Sequence, residues 1–163
     1  KWSADITYIH TEKDGWTYLA SVEDLYSRKI IGWAFGKTMD AELAKKALKN
    51  ASLNIKKTKG IILQTDLGSQ YTSNIFEEYL AELKIWHSYS RKGCPYDNSC
   101  IESFHSILKK EEVNLKKYKD FKEAYNAIFE FIEAWYNRER IHSCLNYKTP
   151  DEVHSEDEES FAA

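Results

Sequence analysis

Three consecutive runs rich in Ile, Val, Tyr, Trp and Thr open the chain, at residues 4–11, 16–24 and 29–36, joined by connections as short as Lys13-Asp14-Gly15. Strands so close in sequence turn back on one another, which predicts an antiparallel, three-stranded start to a sheet. The period then changes. Asp40 is placed to cap a helix with Leu43, Ala44, Ala47, Leu48 and Ala51 on one side, ending near Lys56. A fourth strand is expected from Gly60 to Asp66, then a helix opened by Ser73 or Asn74 with Phe76, Tyr79, Leu80 and Leu83 inward, and a short fifth strand at 85–89. After the Gly93-x-Pro95 break, Asp97 or Asn98 begins a helix carrying Ile101, Phe104 and Leu108 inward, with capping the expected role of Asn98. Phe121, Tyr125, Ile128, Ile132 and Trp135 mark a last long amphipathic helix.

Three strands, a helix, a strand, a helix, a strand and two more helices is the order of the ribonuclease H-like α/β fold, a five-stranded mixed sheet flanked by helices. A chain of 163 residues that is 42% hydrophobic has enough material for one compact domain of this kind, expected over 1–150. Residues 151–163 read as a polar, disordered tail. The chain begins at Lys1 and its only methionine is Met39, so a fragment is expected, with an upstream DNA-recognition domain outside it. No run approaches the roughly 18 apolar residues of a membrane span and no signal-peptide pattern opens the chain, so a cytoplasmic location is expected. Cys94, Cys100 and Cys144 lack zinc-ligand spacing and are expected as reduced thiols.

A net charge of −3 is unusual for a chain that meets DNA, where Lys and Arg neutralise phosphates. The tail accounts for it. Asp151, Glu152, Glu156, Asp157, Glu158 and Glu159 lie there without a single Lys or Arg, and setting those six aside leaves 23 basic residues against 20 acidic ones. Basic residues cluster at Arg91-Lys92, Lys109-Lys110 and Lys116-Lys117-x-Lys119, on either side of Glu102; any one of them reads equally as a solvated helix face.

Three acids stand in distinct settings: Asp5 within an alternating run, Asp66 at the end of another, and Glu102 one turn into a helical pattern, with thirty-five residues between the last two. In the expected fold the first strand is central, so Asp5 projects beside the end of the strand carrying Asp66, and the helix after Asn98 lays Glu102 across the same edge. Carboxylates from a rigid sheet suit a pair of Mg²⁺ ions about 3.5–4 Å apart around one scissile phosphate.

Asp5-Ile6-Thr7-Tyr8, Thr65-Asp66-x-Gly68-Ser69-Gln70-Tyr71-Thr72-Ser73, Ser90-Arg91-Lys92-Gly93-x-x-Tyr96-Asp97-Asn98-x-x-Ile101-Glu102-Ser103-Phe104 and Asn137-x-x-Arg140-x-His142-x-x-Leu145-x-Tyr147-x-Thr149-Pro150 together resemble the integrase-type catalytic core of bacterial insertion-sequence transposases, over residues 2 to about 150. The resemblance implies that Asp5, Asp66 and Glu102 bind two Mg²⁺, with Mn²⁺ as substitute, and cut and join DNA at element ends without a covalent protein intermediate. It also implies a homo-oligomer on DNA. Lys109, seven residues after Glu102, is a candidate phosphate or base contact, against the plain reading of a solvent lysine. Gln70, Arg91, Lys92 and Arg140 are further candidate DNA contacts; Gln70 reads equally as part of a helix-entry turn, and Arg140 and His142 equally as structural. His10, His87, His105 and His154 receive no metal role, and the Tyr and Trp residues are read as core.

The sequence departs from the family at Gln64-Thr65-Asp66-Leu67, where His-Ser-Asp followed by Arg or a polar residue is usual; this bears on DNA contacts, not on a ligand. Two other readings stand beside the transposase. A ribonuclease H-type nuclease would use the same acids, though the Asp-Asn-x-x-Ile-Glu and Asn-x-x-Arg-x-His motifs oppose it. A non-catalytic, transposase-derived DNA-binding domain would have no chemical reason to keep three converging carboxylates whose repulsion is costly without metal.

Overall fold

The computed structural model describes residues 1–53, 55, 58–90 and 98–162, the last six as backbone only. Five strands form one sheet: β1 (Trp2–Thr11), β2 (Gly15–Asp24), β3 (Ile30–Gly36), β4 (Ile62–Thr65) and β5 (Trp86–Tyr89), in the order β3-β2-β1-β4-β5. The first three are antiparallel neighbours, while β4 and β5 run parallel to β1. This is the mixed sheet that the order of periodicities predicts.

Side chains alternate across the pleat, so each early strand feeds two cores. Trp2, Ala4, Ala20 and Val22 pack beneath α1 (Ala41–Leu53) and α2 (Asn74–Leu83), meeting Leu43, Ala47, Leu48, Phe76 and Leu80. Ile9, Leu19, Trp33 and Phe35 face the other way, toward Ile101, Phe104 and Leu108 of α3 (Ser99–Glu111) and Ala124 and Ile128 of α4 (Phe121–Phe129). Helix α1 approaches β3 so closely that a Cβ on Gly32 would sit 2.3 Å from the Ala51 amide nitrogen, which is why glycine stands there. Asp40 and Ser73 cap α1 and α2 as expected, accepting from the Leu43 and Phe76 amides.

Three expectations change. The last long helix keeps α-geometry only to Phe129; Glu130–Tyr136 is a wider π-helix that Asn137 closes with a bond to the Ile132 carbonyl. Asn98 does stand at the first position of α3, but its side chain makes no cap bond and accepts from Ser3 Oγ at 2.7 Å instead. The expected disordered tail is helix α5 (Pro150–Ala162). Its start is a capping box: Thr149 Oγ1 accepts from the Glu152 amide, Glu152 Oε2 accepts from the Thr149 amide at 2.7 Å, and proline occupies the first helical position. Asp151 ties it down through Lys29 at 2.8 Å and the Asn137 carbonyl at 2.9 Å.

Asn137 does more at the opposite edge of the sheet. Its Oδ1 accepts from the Ile30 amide and its Nδ2 donates to the Ile30 carbonyl, both at 3.0 Å, so one side-chain amide serves both backbone groups at the start of edge strand β3. His142 is structural too. Its ring meets Tyr136 edge-on at 5.2 Å, and burial, with the charges of Arg140 and Arg28, holds its pKa down at about 4.

Candidate active site

The parallel ladder between β1 and β4 is short: Trp2 pairs with Leu63 and Ser3 with Gln64, and there it ends. Asp5 and Asp66 each lie two residues beyond that last pair, so the same register sets them level where the two strands part. Asp5 is half-buried, and its Oδ1 accepts from the Ile6 amide at 2.8 Å. Asp66 is exposed, and its Oδ1 accepts from the Gly68 amide at 2.9 Å. A Cβ on Gly68 would lie 2.9 Å from that carboxylate oxygen and 2.5 Å from Gln70 Nε2, so a larger residue here would push both side chains aside. Gln70 is folded close to Asp66.

Helix α3 reaches the same strand. The Ser3–Asn98 bond pins its start to β1, and Glu102 lies one turn later, its amide donating to the Asn98 carbonyl at 3.2 Å. Glu102 is exposed. Three residues on, buried His105 places Nδ1 3.4 Å from Asp5 Oδ2 and Nε2 3.4 Å from Ser21 Oγ. Sequence reasoning gave His105 no part in the site. The signal was there, since His105 falls four residues after Ile101 and three before Leu108, on the buried stripe of α3.

Tyr71 closes the site from beneath. It is 1% exposed, its ring packs edge-on against Phe76 at 5.2 Å, and its hydroxyl has no hydrogen-bond partner among the described residues. Burial, reinforced by the negative charges of Asp5 and Asp66, holds the phenol protonated far above the ordinary tyrosine range. An unmet buried hydroxyl costs about 1–3 kcal/mol. Metal-free Tyr71→Phe is accordingly expected to be more stable than the native chain by about 1 kcal/mol in urea denaturation; equal or lower stability would mean that the hydroxyl is satisfied in solution.

Among the described residues, no three His, Cys, Asp or Glu side chains lie close enough to hold a metal together. What does fit a hard cation is the donor chemistry: two carboxylates level with one another where β1 and β4 part. Thr65, just before Asp66, is held by His87, whose ring bridges Thr65 Oγ1 at 2.9 Å and Glu77 Oε1 at 2.6 Å.

The candidate DNA contacts fare differently. Lys109 Nζ lies 4.2 Å over the ring of Tyr8. Arg140 binds Glu111 at 3.4 Å and stacks on Trp135, at the far end of α3 and about 13 Å along the helix from Glu102. Arg91 and Lys92, with Cys94 and Asp97, lie outside the described residues. Among the described residues, no helix is long and apolar enough to cross a membrane.

A mixed five-stranded sheet with aspartates level at the parting of its central parallel pair is the ribonuclease H-like arrangement, in the form found in retroviral integrase cores. The catalytic core domain of bovine immunodeficiency virus integrase superposes with a TM-score of 0.70 at 17% identity, over 99% of this chain and 97% of that one. The HTLV-2 integrase catalytic core domain in complex with magnesium does so with a TM-score of 0.67 at 20% identity, over 94% of each chain. Residues 1–95 match the family model of the integrase core domain, and residues 83–150 match a second integrase core domain model. The chain belongs to the integrase core domain family. Among curated proteins it is 42% identical over 149 residues to the transposase for insertion sequence element IS904 of Lactococcus lactis subsp. lactis (strain IL1403), spanning 91% of this chain and 58% of that protein. It is 40% identical over 152 residues to transposase InsF for insertion sequence IS3A of Escherichia coli (strain K12), spanning 93% and 52%. The chain thus covers just over half the length of these relatives.

Proposed function

We propose that this chain is the catalytic domain of a DNA transposase, acting in the bacterial cytoplasm as a homo-oligomer on element ends and target DNA. The observation that carries the reading is the shared register of Asp5 and Asp66 in a chain of this family, with α3 fastened to β1 so that Glu102 stands one turn above. Asp5, Asp66 and Glu102 are the residues that would hold two Mg²⁺, or Mn²⁺ in their place. Bound there, the metal supplies Lewis-acid chemistry, lowering the pKa of an attacking water or 3′-hydroxyl and stabilising the leaving oxygen.

The chain's own groups orient the rest. His105 fixes the rotamer of Asp5 by facing its Oδ2, a supporting contact of the kind that sets ligand basicity. Gln70 and Lys109 meet the DNA backbone on the two sides of the acids, with Arg91 and Lys92 between β5 and α3. In strand transfer a 3′-oxygen attacks the target phosphorus, the bond from phosphorus to the target 3′-oxygen breaks, and that oxygen leaves with a proton.

Calorimetric titration with Mn²⁺, in the presence of a duplex end carrying a blocked 3′-terminus, tests the site. Native protein is expected to bind the ion and Asp66→Asn to lose at least about tenfold in affinity; equal binding by the two would sink the assignment. A hydrolytic nuclease would share that result. The two part when labelled end DNA is incubated with the whole protein and target: joined, longer products mark a transposase, and shortened products alone mark the nuclease.

A further inference from the structure

Strand β1 has a bare stretch. On the side of β4 its ladder ends at Ser3, and among the described residues backbone pairing resumes at Thr11, which bridges Tyr118, with the Glu12 and Lys13 amides donating to the carbonyls of Tyr118 and Lys119. Between these points lies a groove of about 560 Å³ lined by Tyr8, His10, Trp16, Lys109, Lys117 and Tyr118 among others, a size typical of small-ligand sites.

Tyr118 belongs to the core, but two other rings of the groove do not. Tyr8 and Trp16 are 56% and 55% exposed although strand alternation counts them as packing residues, and they meet edge-to-face at 5.2 Å, with His10 edge-on to Trp16 at 5.0 Å. Large rings left this open on a paired strand cost burial that the domain could have had. The groove is also cationic. Lys109 caps the Tyr8 ring and Lys117 stands on the wall; Lys116 is tied to Glu112 at 2.8 Å, and Glu12 is the opposing charge on the lining.

Both walls start at the candidate catalytic acids. Tyr8 lies three residues along β1 from Asp5, and Lys109 seven residues along α3 from Glu102, each about 10 Å away. A DNA strand whose scissile phosphate sits at the acids therefore reaches the groove with its neighbouring nucleotides.

We propose that this groove is a stacking site for one or two unpaired nucleotides next to the scissile phosphate, with bases against Tyr8 and Trp16 and phosphates at Lys109 and Lys117. The proposal rests on the reading of the chain as a DNA-handling domain and adds single-stranded DNA as the form of substrate taken there. Duplex DNA cannot use the rings, because its base faces are already stacked; an opened or frayed end can.

Fluorescence anisotropy with a labelled eight-nucleotide oligothymidylate in EDTA, using the whole protein, reads the groove without any metal. Trp16→Ala and Tyr8→Ala are each expected to weaken binding about 5- to 100-fold, the range for losing one stacked base. Trp16→Phe should restore it to within about threefold. Lys117→Ala should flatten the salt dependence without changing the order of the aromatic variants. Unchanged affinity in Trp16→Ala, or native protein that prefers a blunt duplex of the same length, overturns the proposal. So does a Trp16→Ala protein that binds the oligonucleotide normally but falls to a smaller oligomer in light scattering, which would make these rings a contact between copies. Because the assay is metal-free, its failure leaves the manganese titration to judge the catalytic reading by itself.

Discussion

Asp5→Asn in the whole protein is expected to lower the rate of strand transfer by about 10³-fold or more while leaving the fold intact. The fold survives because asparagine keeps the oxygen that accepts from the Ile6 amide and leaves the backbone pairing of Asp5 with Ser21 unchanged. Chemistry does not survive, because Asp5 is the acid on the central strand, with Asp66 level beside it and the α3 residues above. A gel assay of joined product, with circular dichroism and urea midpoints as controls, makes the comparison. A loss under tenfold would remove Asp5 from the metal set, and a lost fold would mean that its charge is needed structurally. Glu82→Gln, exposed in the last turn of α2, is the neutral control.

Glu23→Gln is expected to raise stability at neutral pH by about 3 kcal/mol. Glu23 lies on β2, 1% exposed, with Oε2 unpartnered among the described residues, and burial pushes its pKa up to about 8 against the opposing pull of Arg28. The folded chain therefore keeps a proton that the unfolded chain releases near 4.5. Between these values the unfolded state binds fewer protons, so native stability falls as pH rises from about 4.5 to about 8 and is level beyond. The variant lacks that slope. Urea midpoints at pH 5 and pH 7 should show native protein losing ground to Glu23→Gln across the interval, and parallel behaviour of the two would show that Glu23 ionises freely in the fold.

How far sequence reaches is visible in single elements. The sheet was legible because β1, β2 and β3 are rich in β-branched and aromatic residues and their turns are short, and α1 and α2 because their caps and apolar stripes agree. Helix α5 was missed for a reason of scale. Six acids dominate composition over 151–163, while the deciding features are a four-residue capping box and one tethered carboxylate. The π-helical segment has no local mark, since its residues keep the apolar spacing of an ordinary helix. At the site, the level placement of Asp5 and Asp66 follows from strand order, but the His105–Asp5 contact and the orphaned Tyr71 hydroxyl depend on how α3 and the turn after β4 pack. Tyr8 and Trp16 were taken for core because periodicity reports which face a side chain takes, not whether anything covers that face.

The amide of Asn137 bears on how copies of this domain can meet. Strand β3 is an outer edge of the sheet, and such edges invite another chain to add a strand by backbone pairing. By engaging both the N–H and the C=O of Ile30, Asn137 stands in for the first rung of that missing strand. A neighbour extending the sheet there would have to evict it, together with the turn that holds Asp151 to the same residue's carbonyl. Under the proposed function, copies assembling on DNA are expected to avoid sheet continuation at this end and to meet through side-chain surfaces instead.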